Sequence, residues 1–173
     1  MELSAHGGDL RTEQASDKRR RTGKRVTNEN SPLHIVGIGT DIVECLRIAH
    51  MIDRHGEQFI NRVYTPTEVR YCQERKQATQ HYAGRWAAKE AILKAIGIGH
   101  RRGINLRDVE VRSDAHGKPV VGLSGGARDA LEHLGIRQVL VSISHCRSHA
   151  TAYAMALGPS PDLNDLDFPR PSR

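Results

Sequence analysis

From residue 34 onward the chain alternates short apolar runs with polar breaks. The run 34–40 (HIVGIGT) has strand length and places Gly37 and Gly39 on one face. Over 42–55, Ile42, Leu46, Ala49 and Ile52 recur near helical spacing, which predicts a helix; 57–63 reads as a shorter turn or helix. Thr65-Pro66-Thr67-Glu68 predicts a helix start, with Thr65 as N-cap, Pro66 at the first helical position and Glu68 closing a capping box. A longer helix is predicted from about residue 80 to 96, built from strong helix formers and stopped at Gly97. The runs 109–112 and 119–123 flank the turn Ala115-His116-Gly117-Lys118 and predict a hairpin. A helix over 127–134 ends at Gly135, and 138–144 with 150–156 predict a second hairpin around Cys146-Arg147-Ser148. One strand, several helices, then antiparallel pairs argue for an α+β fold rather than repeating βαβ units.

Composition changes the picture at the two ends. Residues 1–32 hold few apolar side chains and the run Lys18-Arg19-Arg20-Arg21-Thr22-Gly23-Lys24-Arg25. Such a segment cannot bury enough surface to offset the entropy of ordering it, so it is expected to be a disordered extension. Residues 158–173, with Pro159, Pro161, Pro169 and Pro171 among Asp and Asn, are expected to be a disordered tail. One domain over 33–157 remains, from a chain of 173 residues. Aromatic residues make up only 4%, so its core must come from Val, Ile, Leu and Ala.

The class follows from what is missing. No stretch approaches the 18 or so apolar residues of a membrane span, and 1–32 contain no apolar signal core. Cys45, Cys72 and Cys146 are scattered and odd in number, which disfavours a disulfide framework and points to a reducing cytoplasm. Net charge is +6, and 33–157 contribute 17 basic against 12 acidic side chains. A basic folded domain attracts an anionic partner.

Some candidate chemistry fails at once. Gly37-Ile38-Gly39-Thr40-Asp41-Ile42 begins like a dinucleotide-binding turn, but its sixth position is Ile42. Gly117-Lys118-Pro119 lacks the rest of a P-loop. His145 and His149 have i,i+4 spacing, but around a strand turn rather than on a helix, so a zinc pair is disfavoured.

Three sets remain, each with a plain alternative. Asp41, at a strand end, is a helix N-cap or a metal ligand. Glu90 and Lys94 share a helix face as an exposed ion pair, or as a carboxylate for Mg²⁺ and an ammonium for phosphate. Mg²⁺ takes one or two carboxylates beside substrate phosphates, a number that Asp41 and Glu90 supply. Ser144 and His145 end an alternating strand as turn residues, or as phosphate and acid–base contacts.

These sets, in this order, resemble the holo-[acyl-carrier-protein] synthases, the small 4′-phosphopantetheinyl transferases. The resemblance rests on GIGTDIVE (37–44), NRVYTPTEVRYC (61–72), AGRWAAKEAILKAIGIG (83–99), INLRDVEVRSDAHGKPVV (104–121) and VLVSISHCRSHATAYAMA (139–156). It implies transfer of the phosphopantetheine arm of coenzyme A to a serine of apo acyl carrier protein, for fatty acid synthesis, with release of adenosine 3′,5′-bisphosphate. It implies Asp41 and Glu90 as Mg²⁺ ligands and Lys94 beside the transferred phosphate. It places Ser144 and His145 along the coenzyme A site, and Arg47 and Arg54 on the helix face that receives the carrier protein. Glu90, Lys94 and His145 are then the catalytic candidates, while the serine's proton acceptor stays open among metal-bound water, Glu90 and His145. Some relatives carry an Asp after the histidine; Cys146 stands there in this chain, and no base is assigned to it.

The family also implies a homotrimer with active sites between subunits. Ala150, Ala152, Ala154 and Ala156 share one face of the last strand, either for close approach of another subunit or for packing under this chain's own helices. Two competing functions have less support in the residues. A nucleic-acid module would rest on the 18–25 arm alone, since the domain lacks interleaved aromatics. A coenzyme A-binding relative without transfer is disfavoured by the intact Asp41, Glu90 and Lys94.

Overall fold

A computed structural model describes residues 32–98 and 103–159. The predicted 18–25 arm and most of the predicted tail lie outside these residues. The chain forms β1 (His34–Glu44), α1 (Cys45–Val63), α2 (Pro66–Gln73), α3 (Ala78–Ile96), a 3₁₀ turn (Leu106–Asp108), β2 (Val109–Ser113), β3 (Pro119–Leu123), α4 (Gly125–His133), β4 (Gln138–His145) and β5 (His149–Gly158). Strands β1, β5 and β4 make one antiparallel sheet with β5 in the centre; β2 and β3 make a separate hairpin. The expected α+β class stands.

The long helix α3 lies on the inner face of the larger sheet. It is buried nearly all round, and Ala83, Ala87, Ala88, Ala91 and Ile92 are fully closed off. Close packing requires that the sheet offer almost no side chain there. A Cβ on Gly37 would fall 1.9 Å from the Ala95 carbonyl oxygen, and one on Gly39 would fall 2.0 Å from that of Ala91. Ala150, Ala152, Ala154 and Ala156 are buried on the same face. The alanine stripe therefore packs inside this subunit, and the second of its two readings is the observed one.

The opposite face of that sheet is apolar and open. Ile38 is 67% exposed, Ile42 68% and Tyr153 58%. Register aligns Ile38, Met155 and Leu140 in one row across the three strands, with Thr40, Tyr153 and Ser142 in the next.

The local signals at α2 and α3 are realised. Thr65 Oγ1 accepts from Glu68 N–H, and Glu68 Oε2 accepts from Thr65 N–H at 2.8 Å. Gly97 ends α3 at φ 78°, a left-handed cap. The β1–α1 boundary is a correction. Strand β1 runs on to Glu44, because Asp41 and Ile42 pair with Ala152 and Thr151 of β5. The helical spacing of Ile42 and Leu46 is thus overridden by sheet pairing, and the helix begins at Cys45. The segment 57–63 joins α1 across a kink at Gly56, whose φ is 52°.

Candidate functional site

Asp41 points toward α3, since β1 alternates and Gly37, Gly39, Asp41 and Val43 face inward. It is not a helix cap: that position is held by Glu44, which makes no side-chain cap bond. Its partner is Lys94, four turns along α3. Lys94 Nζ donates to Asp41 Oδ1 at 2.7 Å and to the Thr40 carbonyl at 2.9 Å. The Asp41 side chain is 16% exposed and that of Lys94 49%. Glu90 lies one turn before Lys94 on the same helix face, with its Oε1 shut away from solvent. This end of α3 thus carries one carboxylate and one ammonium, and β1 brings the second carboxylate to the ammonium.

The donor set suits a hard cation. Asp41 and Glu90 offer carboxylate oxygens and no thiolate or imidazole. Among the described residues no three His, Cys, Asp or Glu side chains gather as a cluster. A cation held here would need water or phosphate oxygens for its remaining positions, which is Mg²⁺ behaviour. His149 Nδ1 sits 3.0 Å from Ser148 Oγ.

Ser144 and His145 end β4, but they point apart. Ser144 lies on the open outer face with Ser142, and His145 lies on the side of α3. The His145 ring meets the edge of His81 at 5.1 Å between centroids. His81 in turn meets Tyr71 edge-on at 5.7 Å. The guanidinium of Arg85 lies 3.7 Å from the Tyr71 ring centre, and that of Arg75 lies 4.6 Å from it. Arg85 is buried; it donates to Ser113 Oγ, while its Nε has no hydrogen-bond partner among the described residues. Burial pushes the His81 imidazole down, and His145, Arg85 and Arg75 push it the same way. The result is a cluster of cations around Tyr71 with one buried guanidinium N–H unpaired among the described residues.

The predicted site residues therefore fall into two groups within one chain. Asp41 of β1 meets Lys94 in the C-terminal half of α3, which also carries Glu90, and His145 stands beside His81 near the start of that helix. His81 and Lys94 are 13 positions apart, which is about 20 Å along a helix. Arg47 and Arg54 are exposed on α1, away from the core. Cys146 is exposed, and a hydrogen bond with the Ser148 hydroxyl draws its thiol pKa down.

Sequence reasoning missed the cluster around Tyr71 and a second buried group. Lys89, adjacent to Glu90, is fully buried and pairs with Glu68 at 2.8 Å. It also donates to the carbonyls of Leu106, at 2.9 Å, and Val109. Glu68 Oε1 accepts from Val111 N–H at 2.9 Å. One ion pair thus ties α2, α3 and β2 together. The signal was present: Arg85 and Lys89 are i,i+4 amid Ala83, Gly84, Trp86, Ala87, Ala88, Ala91 and Ile92, a stretch with little polar face to carry them.

The sequence matches the profile described as "ACPS: 4′-phosphopantetheinyl transferase superfamily" over residues 37–156. It is 44% identical over 121 residues to the holo-[acyl-carrier-protein] synthase of Rhodopirellula baltica, covering 70% of this chain and 96% of that one. The fold is similar to the crystal structure of the Neisseria meningitidis holo-[acyl-carrier-protein] synthase, with TM-score 0.65 and 35% identity over 71% of this chain and 98% of that one. It is also similar to the Helicobacter pylori synthase in complex with coenzyme A, with TM-score 0.62 and 28% identity over 69% and 98% of the two chains.

Proposed function

This chain belongs to the 4′-phosphopantetheinyl transferase superfamily, as one of its holo-[acyl-carrier-protein] synthases, and from that premise we propose how its residues divide the reaction. It moves phosphopantetheine from coenzyme A to a serine hydroxyl of apo acyl carrier protein and releases adenosine 3′,5′-bisphosphate. The bond formed joins the serine oxygen to the β-phosphorus; the bond broken is the pyrophosphate bridge. The difficulty is charge and alignment rather than a covalent intermediate.

Asp41 and Glu90 would hold Mg²⁺, which when bound neutralises the pyrophosphate oxygens. Lys94 has three N–H donors and places two of them on Thr40 and Asp41. Its third donor serves a phosphate oxygen. The serine proton passes to a carboxylate or imidazole of the site, Glu90 or His145, or to water. Arg85 Nε, Arg75 and His145 suit the remaining phosphate of coenzyme A, because a buried unpaired guanidinium N–H favours an anion. Arg47 and Arg54 present cations to the acidic carrier protein, so docking weakens with salt.

The observation that carries this reading is the 2.7 Å Lys94–Asp41 pair with Glu90 one turn away. The roughly 20 Å offset between it and His145 supports a site completed by a second subunit. The exposed row of Ile38, Met155 and Leu140 supplies an apolar face for such an assembly, a trimer by family likeness. We place the reaction in the cytoplasm, where three unbridged cysteines are at ease. Among the described residues no helix is long and apolar enough to cross a membrane.

The test is intact mass spectrometry of an apo acyl carrier protein after incubation with this protein, coenzyme A and Mg²⁺. A mass gain of one phosphopantetheine that disappears with EDTA is the expected result. No gain with several carriers and folded protein would reduce the chain to a coenzyme A-binding relative.

A further inference from the structure

The three cysteines differ in what can reach them. Cys72 is 0% exposed, and burial pushes its thiol up to about 12, so it stays an inert thiol. Cys146 is exposed in the turn between β4 and β5. Ser148 Oγ stands 3.4 Å from its sulfur and 3.0 Å from His149 Nδ1, and the hydroxyl contact favours the thiolate. An exposed sulfur with thiolate character is the one that meets an oxidant first.

Cys45, 101 positions away in sequence, stands against the same turn. It opens α1, its N–H donates to the Ser148 carbonyl at 2.8 Å, and its thiol donates to the Cys146 carbonyl at 3.8 Å. Its side chain is buried, which raises its pKa, and a charge on Cys146 raises it further. A carbonyl oxygen lies about 2.4 Å from its own Cα, so Cys45 Sγ is within about 6 Å of Cys146 Cα. A disulfide sets that separation near 4 Å, so the exposed turn has to move by about 2 Å at most.

We propose that Cys45 and Cys146 are a dithiol site which hydrogen peroxide converts to a disulfide. The Cys146 thiolate attacks one peroxide oxygen, the O–O bond breaks, and hydroxide leaves and is protonated to water, with Cys146 now a sulfenic acid. The Cys45 sulfur then attacks the Cys146 sulfur. The S–O bond breaks, and the departing hydroxide takes the Cys45 thiol proton as a second water. Two thiols and one peroxide thus give one disulfide and two waters; the sulfurs are oxidised and the peroxide is reduced. A dithiol reductant reverses the bond by exchange. The bridge pins the turn that follows His145 to the start of the helix that carries Arg47. Its effect on transfer rests on the function proposed above; the bridge itself does not.

Peptide mapping by mass spectrometry tests the bridge without reference to transfer. The reduced full chain is treated with hydrogen peroxide, alkylated under denaturing conditions and digested without reductant. The expected result is a linked Cys45–Cys146 peptide pair, an intact chain lighter by two hydrogens, Cys72 alkylated, and loss of the link with dithiothreitol. Cys45→Ser should stop at a sulfenic acid on Cys146 that dimedone traps, and Cys146→Ser should leave Cys45 a thiol at the same dose. Equal dimedone trapping in wild type and Cys45→Ser overturns the proposal. So does a Cys146–Cys146 link between chains, or a link to Cys72. The bridged chain should transfer phosphopantetheine roughly ten-fold more slowly than the reduced chain, because small displacements beside a reacting centre are costly. Equal rates would overturn that consequence. A reduced chain without transfer would sink the proposed function, while the linked peptide still decides the site.

Discussion

Gly39 lies so close beneath α3 that a Cβ would stand 2.0 Å from the Ala91 carbonyl oxygen and 2.6 Å from the Ala95 nitrogen. The obstacle is helix backbone, which cannot swing aside as a side chain does. The same approach brings Asp41, two residues on, to Lys94. Gly39→Ala must therefore push β1 off the helix, and overpacking of this kind costs ~1–3 kcal/mol. Urea unfolding should show the loss, together with a fall in activity larger than the unfolded fraction explains. Gly122→Ala, whose nearest neighbours stand at 3.9 Å, is the control and should cost far less.

Asp41→Asn keeps the shape of the side chain but removes the charge that faces Lys94. We expect transfer to fall roughly 10²–10³-fold with the unfolding midpoint nearly unchanged, as for loss of one electrostatic contact to the reacting phosphates. Glu90→Gln should behave alike. Lys94→Met should slow transfer while leaving the Mg²⁺ concentration dependence less affected. Steady-state rates across a Mg²⁺ titration separate the two. Full activity in both carboxamide variants would sink the metal assignment.

The parts of this structure that were legible in the sequence are the locally determined ones. Thr65, Pro66 and Glu68 cap α2 through contacts three residues apart, and Gly97 ends α3 by its own φ. The β1–α1 boundary was not legible, because the partner that holds Ile42 in a strand is Thr151, more than a hundred residues away. Residue types and spacing singled out Asp41, Glu90, Lys94 and His145. They said nothing of distance: only the fold reveals that α3 separates His145 from the other three. The alanine stripe left two readings open, since a face of small residues fits a tight helix contact as readily as a subunit contact, and only the fold shows that it packs under α3.

That separation makes a mixing experiment informative. If one subunit supplies Asp41 and another supplies His145, two inactive proteins can repair each other. Asp41→Asn and His145→Ala subunits, unfolded and refolded together, should regain about one quarter of wild-type activity, the fraction of interfaces with both native residues. A mixture as inactive as its parents would mean that each site is complete within one chain. Tyr153→Lys, on the open sheet face, should lower the mass seen by sedimentation and abolish activity with it.

His81 gives a pH dependence with a defined sign. Burial, with His145, Arg85 and Arg75 beside it, holds its folded pKa below the ordinary 6.5. As pH falls through 6.5 the unfolded chain takes up the proton before the folded one does, so stability drops with acid until the folded pKa is passed. Thermal midpoints measured downward from neutral pH should decline less steeply in His81→Gln than in the wild type. An unchanged slope would place the acid sensitivity in other groups.

The buried pair Glu68–Lys89 gives the largest expected loss of stability from a single side chain. Both side chains are 0% exposed, and Lys89 also serves the carbonyls of Leu106 and Val109. Desolvation lowers the Lys89 pKa, and Glu68 opposes that shift, so the ammonium depends on its partner. Lys89→Met strands the Glu68 carboxylate in the core and leaves two carbonyls without a donor. Breaking a buried pair from one side costs ~3–5 kcal/mol, enough to threaten folding of a domain this size. Removing both charges with Glu68→Gln and Lys89→Met should recover part of that loss, because no uncompensated charge remains. Chemical denaturation of the two single variants and the double variant closes the cycle. A double variant no more stable than Lys89→Met would mean that the carbonyl contacts, and not the ion pair, hold α2 and β2 to α3.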